Sequence, residues 1–131
     1  MPSKRASTEF YTVGQLCRAV GASPRAVRLY EEQGLLTAQR DALNHRLFDQ
    51  AARDDLALIV CLRGAGISLA EIGLLLSQPA HGAIRQRRID RLLRARKAYL
   101  SAELETVEAA RQRLAPRDPV SVRRLRAPHA V

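Results

Sequence analysis

Two short helices with almost nothing between them constrain this chain most. Thr12 followed by Gln15 three residues later makes a capping box, and Val13, Leu16, Cys17 and Val20 then fall at i, i+3, i+4 and i+7, a single apolar stripe. Gly21 stops that helix. Ser23 caps the next one, Pro24 occupies its first turn, and Gly34 ends it. Only Gly21 and Ala22 lie between the two. Helices joined this tightly form a helix-turn-helix. The second one carries Arg25 and Arg28, three positions apart and therefore on one face.

From Leu35 to Phe48 the helical stripe disappears. Asp41 and Asn44 are turn formers, and "HRLF" (His45 to Phe48) alternates as a strand does, which predicts a short hairpin. Asp49 can cap a third helix over about Gln50 to Ala65, and Ser68 with Glu71 predicts a second capping box opening "LAEIGLLLS". From Ala83 to Ala115 there is neither Gly nor Pro, and Leu93, Leu100, Val107 and Leu114 recur every seven residues. Leu104 widens the stripe. Such a helix would be about 50 Å long, and a seven-residue repeat on it calls for a partner helix.

The predicted fold class is mainly α: a winged helix-turn-helix domain followed by a long antiparallel coiled-coil dimerisation helix. The expected divisions are a flexible terminus over 1–8, the winged helix-turn-helix domain over 9–78, the dimerisation helix over 83–115 and a basic disordered tail over 116–131.

Charge narrows the partner. The net charge is +9 and the isoelectric point 10.9, a balance that favours a polyanion. The excess is uneven: net +1 over residues 1–80, +5 over 81–115 and +3 over 116–131. A near-neutral first part can still bind nucleic acid if its arginines gather on one side. The longest apolar run, "LALIVCL" (Leu56 to Leu62), is too short to span a bilayer, and "MPSKRASTEF" lacks the apolar segment of a signal peptide. Two cysteines far apart, Cys17 and Cys61, make no disulfide framework, so a cytoplasmic location is expected.

The order of these elements resembles the MerR family of bacterial transcription regulators. "YTVGQL" (Tyr11 to Leu16) is similar to the run that opens the family's first helix. "AVRLYEEQGLL" (Ala26 to Leu36) is similar to its Arg-Tyr-Tyr-Glu-x-x-Gly-Leu pattern, with Leu29 in place of the first Tyr. "NHRLF" (Asn44 to Phe48) is a variant of its Gly-Tyr-Arg-x-Tyr wing, and "LRGAGISLAEIGLLL" looks like the region before the dimer helix. The resemblance spans about Glu9 to Ala115. It implies a homodimeric, sequence-specific regulator that binds an inverted-repeat promoter operator, bends and untwists it, and meets RNA polymerase there.

On this resemblance the DNA-binding candidates are Ser23, Arg25, Arg28, Tyr30, His45 and Arg46. Tyr30 divides between core packing and phosphate contact. Leu29 cannot supply the hydroxyl of the Tyr it replaces. Asn44 stands where the wing has Gly, and Asn tolerates a left-handed backbone. The dimerisation candidates are Leu93, Leu100, Leu104, Val107 and Leu114. Lys4, Arg18 and Arg40 read as plain surface or as weak contacts to the DNA backbone. The basic residues from Arg85 to Lys97 read as a solvated helix face; the alternative, nonspecific phosphate attraction by its first turns with Arg123, Arg124 and Arg126, stays open for the tail.

Cys17 reads as a buried thiol, and Cys61, within "LIVCLR", also as core. A sharper alternative makes Cys61 the input of a thiol-based redox or aldehyde sensor. Metal sensing is disfavoured, since the segment before the dimer helix offers only His81 and the tail only His129; no metal and no cofactor are expected. No catalytic arrangement or Gly-rich phosphate loop stands out, so an enzyme is not expected. A further rival is a nonspecific DNA-binding coiled-coil module. The effector is not legible.

Overall fold

The computed structural model describes residues 9–78 and 82–117. The expectations for Lys4, His81, His129, the terminus over 1–8 and nearly all of the basic tail lie outside these residues. The described elements run α1 (Val13–Val20), α2 (Pro24–Glu32), β1 (Gln39–Arg40), β2 (Arg46–Leu47), α3 (Gln50–Gly64), α4 (Leu69–Ser77) and α5 (Gly82–Arg113). The architecture is mainly helical, with one small antiparallel sheet and a long last helix.

The helix boundaries follow the local chemistry. Thr12 Oγ1 accepts from the Gln15 N–H at 3.2 Å, while Gln15 Oε1 accepts from the Thr12 N–H at 2.9 Å, completing the box. Gly21 closes α1 in the left-handed region at φ 83°, a conformation that favours glycine. Ser23 Oγ accepts from the Ala26 N–H at 3.1 Å, and Pro24 opens α2. Asp49 caps α3 through the Ala52 N–H at 2.8 Å. At α4 only half of the expected box forms. Ser68 Oγ accepts from the Glu71 N–H, but Glu71 Oε1 turns to the Ser68 hydroxyl at 3.2 Å rather than to a backbone donor.

The hairpin is shorter than the alternation suggests. Two residues pair on each side, Gln39 with Leu47 and Arg40 with Arg46. Beyond them, Tyr11 and Phe48 form a bridge in which each N–H donates to the other's carbonyl, at 2.7 and 2.8 Å. The wing is thereby tied at its base to the start of α1. The Tyr11 hydroxyl also donates to Gln50 Oε1 and accepts from Arg53 Nη1, at 3.0 and 2.8 Å.

One core unites these pieces. Leu16, Val27, Phe48, Leu56, Ile59, Leu62 and Ile72 are all but inaccessible, each contributing about 1.5–3 kcal/mol from burial. Cys17 is buried, as its stripe requires. Cys61 is not: it is exposed, contrary to the core expectation. The buried side of α3 runs through Ala52, Leu56, Ile59 and Leu62. Cys61 is two residues from Ile59, about 200° around the helix. The run "LIVCL" is apolar all round and conceals which side faces inward.

The chain divides after Arg96. In the first unit, Ile89, Leu92 and Leu93 of α5 pack against the core. Arg85 pairs with Asp55 of α3 at 4.0 Å. Burial pushes the Asp55 carboxyl up, and Arg85 opposes the shift. Arg96 Nε donates to the Ala65 carbonyl at 3.1 Å, beside Gly66 at φ 88°. A Cβ on Gly66 would lie 2.5 Å from that guanidinium, which would have to swing aside, and the left-handed backbone itself favours glycine. In the second unit α5 continues from Lys97 with every large apolar side chain exposed, including Leu100, Leu104 and Val107.

Candidate nucleic-acid interface

The second helix divides cleanly into two sides. Val27 and Tyr30 are buried at 1% and 8% exposure. Arg25, Arg28, Leu29 and Glu32 are exposed and fall at i, i+3, i+4 and i+7, the opposite stripe. With Ser23 and Ala26 these four line one concave surface. The packing role of Tyr30 is therefore visible: its ring belongs to the core.

A second concave surface adjoins the first through Arg28. It is lined by Thr12, Val13 and Gly14 at the start of α1 and by Arg40, Asn44, His45 and Arg46 of the wing. Three arginines from three elements thus meet around one hollow, beside the free backbone N–H groups of a helix start, a combination suited to anionic oxygen.

The wing tip is built to present these groups. Asp41 Oδ1 accepts from the Leu43 and His45 N–H groups at 2.9 and 2.8 Å. The His45 amide, foremost, holds the Asp41 carboxyl below its usual range. Asn44 turns the chain at φ 67°, so the left-handed residue falls where the turn needs it. Arg40 Nη1 donates to the Asn44 carbonyl at 3.0 Å. His45 Nδ1 lies 3.3 Å from Asp41 Oδ2, with its side chain largely exposed.

The structure brings together Ser23, Arg25 and Arg28 on one surface, and Arg28, His45 and Arg46 on the next. It adds Arg40, which the sequence offers as plain surface or at most a weak backbone contact, together with Thr12 to Gly14. The missed signal was register: Arg40 stands directly across the ladder from Arg46. Like charges so placed repel, and a polyanion between them would relieve that.

The arginines of α5 divide: Arg85 and Arg96 turn inward to Asp55 and the Ala65 carbonyl, contrary to the solvated-face expectation, while others pair along the helix. Arg94 pairs with Asp90 at 2.6 Å, and Arg111 with Glu108 at 2.8 Å, both within α5. Of the dimerisation candidates, Leu93 is half-buried against its own core, while Leu100, Leu104, Val107 and Leu114 are exposed. Among the described residues no helix is long and apolar enough to cross a membrane.

A helix-turn-helix flanked by a basic two-stranded wing, and followed in sequence by a long helix, defines a helix-turn-helix class of regulatory protein. The chain belongs to the MerR family: residues 11–79 match the MerR HTH family regulatory proteins, and residues 53–116 match the family's DNA-binding region. It is similar to the HTH-type transcriptional activator TipA of Streptomyces coelicolor and to that of Streptomyces lividans. Each is 34% identical over 102 residues, covering 76% of this chain and 40% of the relative. The match thus spans less than half the length of those relatives.

Among solved structures it resembles HiNmlR, described as a MerR family regulator lacking the sensor domain and bound to promoter DNA (23% identity, 78% of each chain, TM-score 0.59). It also resembles a MerR family regulator from Bacillus cereus (19% identity, 87% of this chain and 90% of that one, TM-score 0.64). A third is SkgA of Caulobacter crescentus (25% identity, 94% and 99%, TM-score 0.56).

Proposed function

We propose that this MerR-family chain acts as a homodimeric, sequence-specific transcription regulator that binds an inverted-repeat promoter operator. The observation that carries this is the shared position of Arg28. It lines both the outer surface of α2 and the hollow that Arg40 and Arg46 edge from the wing. A helix of this kind fits the major groove, with the wing arginines on the flanking phosphates. Ser23, Arg25, Arg28, His45 and Arg46 form the DNA surface, joined by Arg40, while Tyr30 anchors α2 from behind.

The second unit supports the dimer. Leu100, Leu104 and Val107 lie exposed on α5 at 47%, 68% and 62%, and Leu114, just past its end, at 82%. Antiparallel pairing with the same helix of a second copy would cover them and set two DNA-binding domains apart on one duplex face. Bending and untwisting between the half-sites would let RNA polymerase engage both promoter elements, with the deformed base pairs adding specificity. By this reading the domain over 9–78 binds DNA, the helix over 83–115 dimerises, and the site needs no metal or cofactor.

Selection of duplexes from a random pool by the full-length protein, with light scattering for its mass, tests the proposal. A two-fold symmetric sequence bound by a dimer is expected. A monomer, or recovery of unrelated sequences with equal affinity, rejects it, and a dimer without preference would mark a nonspecific coiled-coil module. A second reading has its own observation, the exposure of Cys61, which gives oxidants and aldehydes access to its thiol. In it, Cys61 is the input and DNA binding the output. An unchanged reporter response to diamide or aldehyde in Cys61→Ser rejects that reading.

A further inference from the structure

Leu29 is the anomaly of the α2 surface. It is 41% exposed, on a stripe whose other members are Arg25, Arg28 and Glu32. Its neighbour on the same concave surface, Ala26, is the one other apolar side chain there and adds a single methyl group. Nothing in the fold of the first unit needs Leu29: the core side of α2 is already supplied by Val27 and Tyr30. An isolated surface leucine is ordinary. This one sits midway along the helix face that the proposed function places against base edges.

In the major groove each base pair shows hydrogen-bonding groups, and thymine alone adds an apolar one, its C5 methyl. Arginine is suited to guanine and cannot read that methyl, while a branched aliphatic chain can cover it. We propose that Leu29 is a specificity-determining residue that reads a thymine methyl in each half-site, one helical turn or less from the bases contacted by Arg25 and Arg28. The inference rests on the proposed function, and it predicts which base property this residue senses.

The test replaces thymine by deoxyuridine, which removes the methyl and leaves every hydrogen-bonding group in place. Using a duplex recovered by selection with the full-length protein, each thymine is exchanged in turn, together with its symmetry mate. One symmetric pair is expected at which the wild-type protein loses about fourfold in affinity per half-site, the value of one buried methyl group. Leu29→Ala is exposed enough to fold unchanged, as circular dichroism will verify, and is expected to bind the thymine and deoxyuridine duplexes equally.

The inference is overturned if no thymine shows the effect in the wild type, or if Leu29→Ala keeps the same preference. Failure to recover any preferred duplex is a different result. It removes the DNA-reading proposal itself, and this inference with it.

Discussion

Arg46 Nε lies 3.3 Å from Glu31 Oε1, so an ion pair joins the wing to the second helix. The pair is close but poorly aligned: both atoms are buried without a hydrogen-bond partner. Charge, rather than a directed bond, holds them together. With side chains 31% and 20% exposed, the pair contributes about 0.5–1 kcal/mol. Glu31→Gln is therefore expected to lower stability by that amount in chemical denaturation. It should also raise affinity for duplex DNA about twofold, because a negative charge near the phosphates is removed. Stability and affinity moving the same way would contradict this account.

Arg28 and Arg40 are expected to fail differently. Arg28→Ala should cost about 1–3 kcal/mol of binding and relax sequence preference at one position per half-site. Arg40→Ala should weaken all sequences alike and reduce the salt slope by about one per site. Titrations of selected and scrambled duplexes at several salt concentrations separate the two.

Leu104→Glu places a charge on the exposed ladder of α5. Since the side chain is 68% exposed in the single chain, the first unit should keep its fold and melting cooperativity. Light scattering should report a monomer, and affinity for the symmetric duplex should fall toward that for one half-site.

Gly66→Ala meets two obstacles, a left-handed backbone at φ 88° and the Arg96 guanidinium. A loss of about 1–3 kcal/mol is expected in urea denaturation. In the double variant with Arg96→Ala the steric part disappears, so the two losses should sum to more than the observed one.

The wing tip should respond to acid. The Asp41 carboxyl titrates below its ordinary 3.8, chiefly because it accepts from the His45 amide. Its contribution is full above that ordinary value and is lost as pH falls through the lowered one. The amide resonances of Leu43 and His45 should therefore shift together in that acid range, and Asp41→Asn should abolish the coupled shift.

Much of this was legible in the residues because capping is local. Thr12, Ser23 and Asp49 announce their helices through side chains that reach three residues ahead. The wing's anchoring was not, because Tyr11 and Phe48 are 37 positions apart and their bridge depends on tertiary packing. The outward side of Cys61 is not legible, because an all-apolar stretch carries no phase. The place of Arg40 opposite Arg46 is not legible, because cross-strand register cannot be read until the turn residues are counted. At Ser68 the motif was present, but Glu71 found a hydroxyl in place of a backbone donor.

The bridge between Tyr11 and Phe48 leaves the hairpin fastened at its root, both rings in the core. Its outer end is bare, with Leu43 76% exposed. A lineage of such proteins can thus re-letter residues 42, 43 and 45 by mutation, Asn44 keeping its left-handed turn, without loosening the fold. On the proposed function, changes at the rim alone would then suffice to reach new operators, while the root of the wing stays as it was.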